Sequence, residues 1–70
     1  MKFTPIDSSM IEAVAYDEDS QLLTVRFNSG RAYEYYEVEK EVYEGLLNAS
    51  SAGSYFQYEI RGVYSYLQIR

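Results

Sequence analysis

Cysteine and histidine are both absent from this seventy-residue chain. Their absence excludes disulfide bracing, a Cys/His metal centre, and any nucleophile that is a thiolate or is activated by imidazole. A phosphate loop of the Gly-x-x-x-x-Gly-Lys type is missing as well. No apolar run approaches the roughly 18 residues needed to span a bilayer, and the N-terminus lacks the apolar core of a signal peptide. The expected location is therefore cytoplasmic, with no membrane, metal or cofactor among the partners. Basic residues are scarce: six Lys and Arg against eleven Asp and Glu give a net charge of −5, which argues against general attraction to phosphate backbones.

Aromatic residues are what the chain has instead. Nine tyrosines and three phenylalanines stand among seventy residues, and each aromatic side chain buries roughly 150 to 250 Å². A chain this short forms one domain, residues 1–70, with little surplus of burial over ordering entropy, so every large side chain is needed. A homodimer would be the other way to gain burial. Charge is uneven along the chain. Residues 1–50 hold ten acids and four bases, whereas residues 51–70 hold Glu59 against Arg61 and Arg70. If one face binds an anion, the C-terminal part should build it, and a cluster of Arg61, Arg70 and Lys40 would favour a nucleic-acid ligand.

The stretch from Leu22 to Tyr36 reads as a hairpin. Leu23, Val25 and Phe27 alternate with Thr24 and Arg26, the period-two pattern of a strand with one buried face. A two-residue turn at Ser29-Gly30 would set Val25 opposite Glu34 and bury a carboxylate, at several kcal/mol unless it is paired. A three-residue loop, Asn28-Ser29-Gly30, with Gly30 as a left-handed bulge, sets Val25 opposite Tyr33 and Leu23 opposite Tyr35. The second register is favoured, because one face is then wholly apolar or aromatic. It makes Tyr33 and Tyr35 core side chains rather than a binding platform.

Around this hairpin, Met1 to Ile6 reads as an irregular lead. Met10 to Tyr16 reads as the first strand, with Ile11, Ala13 and Ala15 on one side and Glu12 on the other. Asp17-Glu18-Asp19-Ser20 lacks the glycine and the distal glutamate of an EF-hand and reads as a solvated turn. From Val38 the period becomes helical, with Val42, Tyr43, Leu46 and Leu47 on one stripe and Glu39, Glu41 and Glu44 opposite. Gly45 interrupts it at a cost of about 1 kcal/mol relative to Ala, as if marking a close approach to the sheet. A second helix is expected over about Ala52 to Arg61, stopped by Gly62. The tail from Val63 to Arg70 alternates and fits an edge strand. The fold class is α+β: a small single domain with a three-stranded antiparallel sheet, a fourth C-terminal strand as an option, and two short helices, in the order β-β-β-α-α(-β). Glu34, Glu37, Glu39 and Glu41 could in principle pair for hydrolysis, but so small a domain has little room for the cleft this requires, and no enzyme activity is expected.

Taken in order, Ala15-Tyr16-Asp17, Leu23-x-Val25-x-Phe27-x-x-Gly30, Tyr33-x-Tyr35-x-x-Val38, Val42-Tyr43-x-x-Leu46-Leu47, Ser51-x-Gly53-x-Tyr55-Phe56 and Ile60-Arg61-x-x-Tyr64-x-Tyr66 resemble the KTSC domain. That module takes its name from the C-terminus of some lysyl-tRNA synthetases and also occurs as small free-standing bacterial and phage proteins. Glu39 and Gln57 depart from the family pattern, which often has Pro and Asn there. The resemblance implies an uncharacterised binding module for which RNA is the suspected ligand, and it draws attention to the amide of Gln57. The residues themselves offer Ser51, Gly53 and Ser54 as an anion-accepting helix start, with Arg61, Tyr64 and Tyr66 adding a cation and stacking faces. In the competing reading, Ser51 merely caps the helix and Arg61 pairs with an acid. A protein-interaction or homodimerisation module of a bacterial or phage assembly is the alternative function, with the tail strand adding to a partner's sheet edge.

Overall fold

A computed structural model describes residues 2–70; Met1, the start of the expected irregular lead, lies outside the described residues. The elements in chain order are β1 (Thr4–Pro5), β2 (Ile11–Asp17), β3 (Leu22–Phe27), β4 (Ala32–Tyr35), α1 (Lys40–Asn48), α2 (Ala52–Glu59) and β5 (Tyr66–Gln68). The strands form one antiparallel sheet in the order of the chain. Both helices fall in the connection from β4 to β5 and pack on one face of it.

The α+β class and the two helices agree with the sequence reading, but the sheet has five strands rather than three or four. The tail forms its strand, with Tyr66 opposite Tyr35 and Gln68 opposite Tyr33. At the opposite edge Thr4 pairs with Val14 and Pro5 with Ala13. Two residues carry no periodicity to detect, and an edge strand tolerates proline because only one of its sides is hydrogen-bonded.

The hairpin adopts the three-residue loop. Val25 faces Tyr33 and Leu23 faces Tyr35; the Phe27 amide donates to the Arg31 carbonyl at 2.8 Å and the Gly30 amide to the Phe27 carbonyl at 2.9 Å. Gly30 has φ of 96°, a conformation that other residues take only under strain. The first long strand departs from the expected alternation. A register shift between Ile11 and Ala13 breaks it, so that Ile11 pairs with Phe27 while Val14 and Tyr16 oppose Val25 and Leu23 on the helix-covered side. Ala13 and Ala15 consequently lie on the other face, with Glu12 3.4 Å from Arg26 and the Arg26 guanidinium 4.3 Å above the Phe3 ring.

The core joins Ile11, Val14, Leu23, Val25 and Tyr35 from the sheet to Val38, Leu46, Phe56 and Ile60 from the helical segment. Tyr16 stacks on Tyr43 with ring centroids 4.6 Å apart and donates its hydroxyl to the Val38 carbonyl at 2.6 Å. Gly45 does mark a close approach, but to α2 rather than to the sheet. A β-carbon there would collide with the Tyr55 ring, whose hydroxyl donates to the Val42 carbonyl at 3.0 Å. Among the described residues, no helix is long and apolar enough to cross a membrane.

Candidate functional site

Alternation along β4 gives the site its floor. Tyr33 and Tyr35 point to the helix side, where Tyr35 is 4% exposed and Tyr33 is half-buried. Tyr66 arrives beside them from β5, with ring centroids 5.7 Å from Tyr33 and 5.9 Å from Tyr35. Phe56 of α2 closes the other side edge-on, 5.5 Å from Tyr35 and 5.3 Å from Phe27. These five rings form one connected surface, and all five line an open groove of about 570 Å³. They are therefore both core and wall. Tyr66 alone presents most of its ring to solvent, at 60% exposure.

Two arginines line this groove. Arg61 lines it just beyond the end of α2, and Arg31 lines it from the hairpin loop. Neither makes an ion pair among the described residues. No carboxylate lines the groove among the described residues, in a chain that carries eleven. Asn28, held by its side-chain donation to the Ser8 carbonyl at 3.0 Å, and Gln57 add amides at the margin. Burial, with the neighbouring Tyr33 and Tyr66 hydroxyls, pushes the Tyr35 phenol up to about 12, while Arg61 acts in the opposite direction. The Tyr35 phenol thus remains a neutral hydrogen-bonding group near neutral pH.

The sequence candidates divide between groove and helix start. Gln57, Arg61 and Tyr66 come together in the groove. Ser51 caps α2, its hydroxyl accepting the Ser54 amide at 3.3 Å, and Gly53 faces Met10 and Ser8, which a β-carbon there would just touch. Tyr64 donates to Glu39 at 3.3 Å. Ser51, Gly53, Ser54 and Tyr64 do not line the groove. Lys40 does not join Arg61 but pairs with Glu18 at 3.4 Å, and neither it nor Arg70 lines the groove. The second cation is Arg31, which sequence reasoning passed over although a signal existed. In the three-residue-loop register, Arg31 sits two residues before Tyr33 and thus projects on the same face.

Nothing in the site resembles a metal centre: no group of three or more acidic side chains converges among the described residues. What the arrangement offers is stacking surface, hydrogen-bonding hydroxyls and amides, and two cations. Comparison with known proteins places this architecture. A protein of Tsukamurella paurometabola is 49% identical over 51 residues, covering 73% of this chain and 76% of its own length. A lysine–tRNA ligase of Nostoc sp. is 43% identical over 63 residues, 90% of this chain but only 11% of the ligase. The crystal structure of a KTSC domain protein from Yersinia pestis superposes with a TM-score of 0.92 at 28% identity, covering 99% of this chain and 97% of that one. The KTSC domain model itself matches residues 7–64. With sequence and fold in agreement over nearly its whole length, this chain belongs to the KTSC domain family.

Proposed function

We propose that this KTSC domain is a noncatalytic binding module and that its aromatic groove takes single-stranded RNA. The observation that carries the reading is the separation of charge: among the described residues, two arginines without an ion pair line the groove beside five aromatic rings and no carboxylate does, in a chain of net charge −5. Unstacked bases bind aromatic faces through ring surface and phosphates bind guanidinium forks, which is the combination that single strands require. Relatives named as lysine–tRNA ligases carry the same domain as a small part of their length, in keeping with an RNA ligand. Among the described residues the groove is lined by Ser, Tyr, Asn, Gln and Arg side chains and by no carboxylate, and the chain has no imidazole or thiol, in keeping with binding rather than catalysis.

A titration of labelled single-stranded RNA and of tRNA at two salt concentrations tests this. Binding should weaken with salt and fall at least tenfold in Arg61→Ala and in Arg31→Ala, both exposed positions whose loss leaves the core intact. Failure to bind below about 100 μM, the upper range of nonspecific association, overturns the RNA reading. A second reading rests on β5, the outer strand of the sheet, where Leu67, and Ile69 just beyond the strand, are exposed. That edge suits strand addition by a protein partner or a second copy of this chain, and sedimentation of the isolated domain distinguishes self-association from a monomer.

A further inference from the structure

Resting on the RNA reading, we infer that the groove is a single-nucleotide site: it takes one unstacked base with its adjoining phosphates and does not track a length of strand. Its volume of about 570 Å³ lies in the range of small-ligand clefts and has room for about one nucleotide. Tyr66 is the one ring of the five with most of its surface free, so the site offers a single stacking platform rather than a row of them. Strand-tracking proteins need successive stacking faces and a continuous cationic path.

The charge outside the groove is what confines the ligand. With Arg31 and Arg61 assigned to the groove, the remaining chain holds four bases against eleven acids. Two of those four are already occupied, Arg26 with Glu12 and Lys40 with Glu18. Of the other two, Arg70 pairs through its backbone with Ala32, next to Arg31, without lining the groove, so a strand leaving the groove past Arg31 meets one further cation rather than a continuous cationic path. The base itself must be out of any helix, since Tyr66 can reach its face only when no neighbouring base covers it. Loops, bulges and strand ends meet that condition, whereas continuous duplex does not.

The test is a titration of the whole domain with adenosine and uridine monophosphates, single strands of two, four and eight nucleotides, and a duplex, each at two salt concentrations, with Tyr66→Ala and Arg31→Ala alongside. Affinity should stop rising at about two nucleotides, with a slope no steeper than about −1.4 in log affinity against log salt, as two phosphate contacts on a single strand give. Tyr66→Ala should lose about tenfold for every single-stranded ligand, as expected for one lost stacking face. Affinity that keeps climbing through eight nucleotides, or a slope steeper than about −3, overturns the single-nucleotide site while leaving RNA binding standing. Duplex bound as well as single strand also overturns it, and no binding at any length overturns both.

Discussion

Tyr35 shows what it costs to build a groove wall from core. Its ring is almost completely buried, and its phenol is pushed up to about 12 chiefly by loss of solvent. In the unfolded chain the same group ionises near 10. Below pH 10 both states hold the proton and stability is unaffected. Between pH 10 and 12 the unfolded state loses its proton first, so stability falls as pH rises, by up to about 2 kcal/mol from this residue. Tyr16, Tyr55 and Tyr64 are raised in the same direction by burial and by neighbouring carboxylates, and they add to the loss. Urea unfolding across this window should show the decline in the wild type and a smaller one in Tyr35→Phe. Gly45 makes a contrasting case. Alanine there would gain about 1 kcal/mol of helix propensity, yet its β-carbon would displace the Tyr55 ring and its hydrogen bond to Val42. Gly45→Ala is expected to lower the urea midpoint, at a net loss of about 1 kcal/mol; a raised midpoint would show that α1 and α2 are less closely packed than described.

At the scale of elements, the parts legible in the sequence were those where one alternative carried a large penalty. The hairpin register followed from the cost of burying Glu34 opposite Val25, and Val25 indeed faces Tyr33. The start of α2 followed from Ser51 before it, whereas its end at Glu59 comes two residues before the expected Arg61, with Gly62, at φ of 78°, in the turn that follows. Where no penalty existed, the signal was missing: β1 is two residues long, and the register shift after Ile11 depends on pairing with Phe27, which single-strand alternation cannot show. The groove was only partly legible for a similar reason. Arg61, Gln57 and Tyr66 belong to one continuous stretch, but Arg31, Phe27 and Asn28 join them through the sheet. Two substitutions check these assignments. Ser51→Ala should cost about 1 kcal/mol of stability through loss of the cap, with RNA affinity unchanged. Gly30→Ala should destabilise by about 1 kcal/mol or more, because alanine is strained at that φ.

Over the whole molecule, the sheet and helices gather a small aromatic concavity lined by two arginines and, among the described residues, no carboxylate, in a chain of net charge −5. The charge separation matters more than the net value. Chains with a strongly negative balance are ordinarily poor candidates for nucleic acid, but here, among the described residues, no acid lines the groove and its two arginines make no ion pair. The free outer edge of β5 lies close by, so occupancy of the groove and strand addition at the edge would share Tyr66. The most direct measurement is residue-resolved: backbone amide chemical shifts followed by NMR as a short single-stranded RNA is added. Shifts concentrated at Phe27, Arg31, Arg61 and Tyr66, with the acidic turn at Asp17–Asp19 and the first turn of α1 unmoved, are the expected result. Shifts centred on Leu67 and Ile69 with the groove residues unmoved, or at the acidic surface, would contradict it.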